Sequence, residues 1–429
     1  MRKLALALIP LALAACGGPD DPAVVGDIDP TAAYEVHAWP LPATEGSAQP
    51  DMAMTADGRL LLSWISSIPG RRNALQFVSL SSNGRWQSAP RTIAVGETLA
   101  ANWANIPHIT ATPDGTLWMH WLQRIGEGYA ADIALSRSTD AGFNWSPPVL
   151  VNDDGTATEH GFASLWSAGN GALGIAWLDG RANATDADAT AHQHAAKAHE
   201  HGGRGTQVRA AVFDANLERS GEQVVDPLAC DCCQTAVAMT AGGPVLFYRD
   251  RTDDEIRDIV ATRLTDGTWS EPKPVHADGW KIEGCPVNGP SAAADGNNVV
   301  VAWYTGANDT PTVLAARSAD AGDSFYPPVL LEQGRPVLGR VAVAVDAYQA
   351  WLLWIREDAS GQSLWLSRRS PDLQREYQRL QVAELQGRGN ATGFPKIVLR
   401  GSAAHIVWTD VENGTPRLHG AIVTPAPSP

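Results

Sequence analysis

Seven short strands that each close on an aromatic residue constrain this chain more than any other feature. They are Ser63-Trp64-Ile65, His120-Trp121-Leu122, Ala176-Trp177-Leu178, Phe247-Tyr248-Arg249, Ala302-Trp303-Tyr304, Leu353-Trp354-Ile355 and Val407-Trp408-Thr409. Most follow a tight-turn pair: Asp57-Gly58, Asp114-Gly115, Asn170-Gly171, Gly242-Gly243 or Asp295-Gly296. Such pairs supply the positive φ that a two-residue hairpin needs. The aromatic positions recur every fifty-odd residues, with only the third unit longer. A fixed period of that size marks a stack of like supersecondary units. Each unit reads as a strand, a Gly turn, a second strand ending in the aromatic, a variable loop, a third strand, a turn and a fourth strand. Four strands per unit is a propeller blade. Helix signals are scarce, so the reading is an all-β β-propeller, with seven blades preferred and six as the alternative. The last unit, Gly393 to Val423, holds three strands. Tyr34–Leu41 is a spare strand expected to pair beside Leu418–Val423 and close the ring, which removes an exposed edge.

The turn between the third and fourth strands carries its own signature. Ser138-Thr139-Asp140-Ala141-Gly142-Phe143-Asn144-Trp145 recurs as Ser318-Ala319-Asp320-Ala321-Gly322-Asp323-Ser324-Phe325. Weaker copies are Ser81-Ser82-Asn83-Gly84-Arg85-Trp86 and Thr265-Asp266-Gly267-Thr268-Trp269-Ser270. The Asp accepts backbone N–H bonds and the Gly allows the turn to tighten. This pattern resembles the Asp-box, Ser-x-Asp-x-Gly-x-Thr-Trp, of the bacterial neuraminidase (sialidase) superfamily, in which it is structural and lies away from the active site. The blade layout puts these turns and the first hairpin turns on one face. The loops after the second strands and the crossings between blades fall on the other, where the channel opens.

Residues 1–15 read as a signal peptide. Met1-Arg2-Lys3 is a charged start, and Leu4 to Ala15 is apolar but too short to span a bilayer. Leu13-Ala14-Ala15-Cys16-Gly17 resembles the bacterial lipobox, in which Cys16 becomes a lipidated N-terminus. Residues 16–32 then read as a flexible tether, 33–424 as the propeller and 425–429 as a disordered tail. The expected place is the bacterial cell envelope, periplasmic or outer membrane, with the membrane touched only through the lipid. A formal net charge of −15 argues against nucleic acid as a partner. A monomer is expected.

Three groups of residues carry possible chemistry. Cys230, Cys232 and Cys233 lie in one segment and Cys285 in another, each crossing into the inner strand of a neighbouring blade, so the four sulfurs should cluster on the channel face. Outside the cytoplasm an even number of cysteines fits disulfides, with a bridge to Cys285. A vicinal Cys232–Cys233 bond would be strained. The other reading is a thiolate site for Cu(I) or Zn. The long loop of blade three packs His192, His194, His199 and His201 into a short run, which suits Cu, Ni or Zn or else is a solvated insertion. Finally, Arg181, Arg249, Arg251 and Arg340 with Tyr304 sit where a glycan or small acidic ligand could bind, and Tyr248 and Asp250 where a nucleophile and an acid could act. Interblade salt bridges would use the same arginines.

The sialidase resemblance implies cleavage of terminal sialic acid by an arginine triad, a Tyr nucleophile activated by a Glu, and an Asp acid/base. It also implies a first arginine in a Phe/Tyr-Arg-Ile-Pro string. The nearest strings here, Asn105-Ile106-Pro107 and Gln49-Pro50-Asp51, lack that arginine, so the triad has no residue-by-residue placement. The functional expectation is therefore a glycan-active hydrolase with a divergent site. The alternative is a non-catalytic propeller that binds a metal, a protein or a glycan through the cysteine cluster and the His-rich loop.

Overall fold

Alternating short strands with one buried face cannot stand alone, and here seven four-stranded antiparallel blades cover one another around an axis. The computed structural model describes residues 29–68, 70, 72–184 and 205–427. Blade one runs outward through Ser47–Met54, Leu60–Ile68, Arg72–Leu80 and Arg91–Gly96. Blade two is His108–Ala111, Leu117–Arg124, Ala131–Ser138 and Val149–Leu150. Blade three is His160–Gly169, Ala172–Asp179, Thr206–Phe213 and Arg219–Ala229. Blade four is Ala236–Thr240, Gly243–Arg249 and Ile259–Thr265, its outer strand split into Thr268–Trp269 and Lys273–Pro274. Blade five is Ser291–Asp295, Asn298–Thr305, Thr312–Ser318 and Val329–Gln333. Blade six is Val337–Val345, Ala350–Glu357, Gln362–Arg369 and Glu376–Leu385. Blade seven takes Lys396–Arg400, Ala403–Glu412 and Thr415–Pro425 from the C-terminal end. Helical structure among the described residues is confined to short 3-10 turns.

Tyr34–Ala38 is the fourth strand of blade seven, with Tyr34 opposite Pro425, Val36 opposite Val423 and Ala38 opposite Ala421. The six-bladed alternative is thereby excluded. Two expected boundaries shift. The strand reaches Pro425, and the end of the expected tether is held: Arg368 donates to the Pro30 carbonyl at 2.9 Å and the Ala32 carbonyl at 3.2 Å. The closing strand is also shorter than Tyr34–Leu41. Trp39 leaves it, is buried, and stacks on Trp86 of blade one with ring centroids 5.4 Å apart.

The apolar core is divided among the blade interfaces. One cluster joins blades one and two through Ile65, Phe77, Ile109 and Met119. The ring closes through another, where Trp39, Leu62 and Trp64 meet Val407. The aromatic residues that mark the repeat are all buried in these seams. A buried indole usually finds a partner for its N–H, as several of the repeat tryptophans do. Trp177 donates to Asp179 at 2.8 Å, Trp303 to Asp278 at 2.7 Å and Trp64 to Ser66 at 3.0 Å.

The Ser-x-Asp-x-Gly turns hold themselves together. Ser138 Oγ donates to Asp140 at 2.8 Å and accepts the Gly142 N–H at 2.9 Å, while Asp140 accepts the Asn144 N–H at 2.8 Å. Ser318, Asp320, Gly322 and Ser324 repeat this pattern. Gly142 has φ 81° and lies so close to Phe77 of blade one that a Cβ would fall 2.0 Å from its ring. The two turns thus dock blade two on blade one, through Phe77, and blade five on blade four, through Val245. It lies at the blade end opposite the crossings that carry the cysteines.

Candidate metal centre

The cysteine segment starts where blade three ends. Its outer strand stops at Ala229, and Cys230-Asp231-Cys232-Cys233 turns toward the inner strand of blade four at Ala236. The Cys230 N–H donates to the Arg249 carbonyl at 3.0 Å, which pins the turn to the end of blade four's second strand. Cys285 lies in the next crossing, residues 275–290, between blades four and five. The two crossings touch at Gly289, where a Cβ would fall 2.1 Å from the Gln234 carbonyl oxygen. Only glycine permits that approach. Gln234 then accepts the Gly289 N–H at 3.0 Å and donates to the Ala104 carbonyl at 2.9 Å. Two segments more than fifty residues apart are thereby fixed against each other.

The sulfurs fall into two overlapping sets. Cys230 Sγ is 3.2 Å from Cys233 Sγ and 3.9 Å from Cys232 Sγ, and all three lie within 4.8 Å of one another. Cys232 also belongs to a second triad with Asp231 and Cys285, again within 4.8 Å. The four cysteines of the cluster are unpaired. Cys230 and Cys233 are buried, Cys232 is half-buried and Cys285 is exposed.

Positive charge stands against this sulfur. The buried Arg257 brings Nη1 to 3.5 Å from Cys230 Sγ and 3.2 Å from Asp231, and its Nη2 to 2.7 Å from Glu255. Burial pushes the Cys230 thiol up. The thiols of Cys232 and Cys233 bonding to it, and the charges of Arg249 and Arg257, overcome that and hold it well below the usual thiol range. Its neighbours move the other way: the bonds to Cys230 push Cys232 up, and burial pushes Cys233 up. Cys230 Sγ thus stands between two further sulfurs and a guanidinium, a set of donors that can give up its protons to a metal.

The arginines do not form a common carboxylate clamp. Arg249 is buried and donates to the carbonyls of Asn288 (2.7 Å), Tyr304 (2.7 Å) and Arg257 (2.6 Å). Its role is to tie blade four to blade five and to the Cys285 crossing. Arg181 pairs with Asp179 at 2.8 Å and with Asp154 and Glu222. Arg251 pairs with Glu255 at 2.5 Å. Arg340 is buried under Trp103, donates to Thr392 and the Gly389 carbonyl, and is pulled down to about 10 by burial. Bidentate capture of an acidic ligand needs free donors aimed at one point, and these donors are directed at separate protein groups.

Tyr248 is equally enclosed. It is buried in the seam between blades three and four, and its hydroxyl donates to Asp226 at 2.6 Å. Burial and the Asp226 charge push its phenol far up, the opposite of an activated nucleophile. Asp250, raised to about 6 by burial and then by Asp226, is on the same blade end. Tyr304 and Arg340 do come together, with Trp103, Trp280 and Pro286, around a cavity of about 270 Å³ next to the Cys285 crossing. The axial channel is a second cavity, of about 300 Å³, lined by Asp51, His108 and Lys396. Asp51 lies 3.2 Å from His108 and 3.5 Å from Lys396. Sequence reasoning passed over this group, because its members come from blades one, two and seven and share no local pattern. Asp231 was missed as well, although its place between Cys230 and Cys232 was a usable signal. Cys16, His192, His194, His199 and His201 lie outside the described residues.

The fold and this site define a seven-bladed β-propeller with a sulfur cluster where two adjacent interblade crossings meet. No protein-family profile and no curated protein matches the chain. Solved structures of similar fold include the polysaccharide lyase Uly1, at TM-score 0.51 and 8% identity over 90% of this chain and 91% of that one. A protein of unknown function from Dyadobacter fermentans follows, at TM-score 0.49 and 14% identity over 89% and 95%. The Hadza microbial sialidase Hz136 gives 0.43 and 16% over 72% and 63%. At these identities the likeness concerns the fold alone.

Proposed function

We propose that this chain is a lipid-anchored propeller of the bacterial cell envelope that binds a soft metal ion, Cu(I) or Zn(II), through its cysteine cluster. The observation that carries this reading is the convergence of Cys230, Cys232 and Cys233 within 4.8 Å, with Cys285 reaching Cys232 from the next crossing. Metal–sulfur bonds of about 2.3 Å place ligand sulfurs roughly 3.8–4 Å apart. Cys230 and Cys232 already stand at 3.9 Å, and Cys230 and Cys233, at 3.2 Å, have to move apart to admit an ion. The buried Arg257 supports the same reading, since a guanidinium beside sulfur stabilises thiolate over thiol. Binding would draw protons from Cys232 and Cys233 and order both crossings. The test is metal analysis with thiol counting on protein exported to the periplasm. Close to one bound metal, with at least Cys230, Cys232 and Cys233 protected from thiol reagents, supports the reading. Two disulfides without metal, persisting after reduction and reloading, would sink it.

A second reading is favoured by the cavity lined with Trp103, Trp280, Tyr304 and Arg340. Aromatic faces beside polar side chains suit a sugar ring, so this cavity is where a glycan would bind. The enclosure of Tyr248 and the occupied arginines favour binding there over hydrolysis. Loss of glycan binding on Trp103→Ala, with metal content unchanged, is the result this reading expects.

A further inference from the structure

Resting on the metal-binding reading above, we infer that Cys230, Cys232 and Cys233 form a three-coordinate Cu(I) site, and that Cys285 with Asp231 is the outer station through which Cu(I) enters and leaves. The four sulfurs are not one set. Cys230, Cys232 and Cys233 make one triad, and Asp231, Cys232 and Cys285 make another, joined only at Cys232. A tetrahedral four-sulfur zinc site needs all four sulfurs at mutual distances near 3.8 Å. A three-sulfur plane needs only the first triad, and soft thiolates with no hard ligand favour Cu(I). Among the described residues, the oxygen ligand grouped with these sulfurs is Asp231, and it belongs to the outer triad.

Exposure follows the same order. Cys230 and Cys233 are closed to solvent, Cys232 is half-buried against the core between blades three and four, and Cys285 faces water. The sulfurs therefore form a line from the surface to the interior, with Cys232 in both stations. Transfer along it is ligand exchange. Cys285 and Cys232 bond the incoming ion as the carrier ligands leave; Cys230 and Cys233 then bond it, and Cys285 leaves and takes up a proton while Cys232 stays. Copper remains Cu(I), so no electron donor is needed, and the displaced thiol protons pass to solvent. Cys230 anchors the inner station, its N–H bonded to the Arg249 carbonyl and its sulfur capped by Arg257.

The experiment uses the reduced full chain under anaerobic conditions, titrated with Cu(I) against bicinchoninate. One Cu(I) per chain with three sulfurs in its X-ray absorption spectrum is expected. Cys285→Ser should leave the equilibrium affinity within about threefold and slow release to excess chelator by about fivefold or more, whereas Cys233→Ser should weaken binding by about a hundredfold. Circular dichroism and a Cys233→Ala control separate loss of a ligand from loss of fold. Equal weakening by Cys285→Ser and Cys233→Ser, or a four-sulfur spectrum, would overturn the three-coordinate site. Unchanged release rates in Cys285→Ser would overturn the exchange role, and displacement of Cu(I) by equimolar Zn(II) would overturn the choice of metal. A reduced wild type that takes neither ion would instead refute the metal-binding reading itself.

Discussion

Arg257 is the residue that separates a structural thiol cluster from a metal ligand set. A buried guanidinium beside sulfur has little use if every sulfur stays protonated, and much if the cluster carries negative charge. Replacing it with Gln should lower Cu(I) or Zn(II) affinity by about 10–100-fold, as loss of an outer partner of a metal site does. Chelator competition measures this, and an unchanged affinity would show that the guanidinium only serves Glu255 and Asp231. His405 makes a pH argument at the same scale. It is buried against Trp39, and burial, helped by Arg400, lowers its pKa to about 4. The unfolded chain takes up that proton near pH 6.5 and the folded chain only near 4. Stability from the neutral ring is therefore complete above about 6.5 and is lost as pH falls toward 4. His405→Asn should gain on wild type by something on the order of 1–3 kcal/mol between pH 7 and 4, read from denaturant unfolding at both pH values.

Among the elements, the Ser-x-Asp-x-Gly turn acts as a clip between blades. Ser318 is fully buried and accepts the Gly322 N–H at 2.8 Å. Ser318→Ala removes that acceptor and the bond to Asp320, and should cost about 1–2 kcal/mol. Metal binding should be unaffected, because the turn is on the face opposite the cysteines. Urea unfolding alongside a Cu(I) titration checks both halves, and a loss of affinity without a loss of stability would contradict the assignment of faces. These turns were legible in the sequence because their hydrogen bonds span only two to four residues. The interblade crossings were legible only as positions. Their contacts, such as Arg249 to Asn288 across 39 residues, depend on how neighbouring blades are set.

For the whole molecule, closure by Tyr34–Ala38 is the decisive contact. Tyr34 packs edge-on against Trp351, with ring centroids 5.4 Å apart, and lies beneath Arg368, whose charge is 3.4 Å from the ring centre. Deleting residues 29–38 would uncover the edge of Thr415–Pro425, remove the carbonyls that Arg368 binds and leave a buried guanidinium short of partners. The expected result is a lower melting temperature with aggregation through the bared edge, seen by scanning calorimetry and light scattering. A truncated chain as stable and monomeric as the full one would show that the ring does not need its closing strand.

Local pattern alone made the four-stranded blades legible and pointed to seven of them closed by Tyr34–Leu41, because a two-residue alternation and a buried aromatic recur in every unit and a tight-turn pair in most. The pairing of Tyr34–Ala38 with Thr415–Pro425 then ruled out six. The sequence also determined that Cys230, Cys232, Cys233 and Cys285 occupy adjacent crossings. Only the tertiary structure decided what those residues and the arginines do. The split of four sulfurs into two triads, the approach of Arg257 across 27 residues to Cys230 and the enclosure of Tyr248 by Asp226 all follow from the set of one blade on the next. That set comes from side-chain packing in the seams, where distances of a few tenths of an ångström separate a ligand from a neighbour, and no local pattern encodes it.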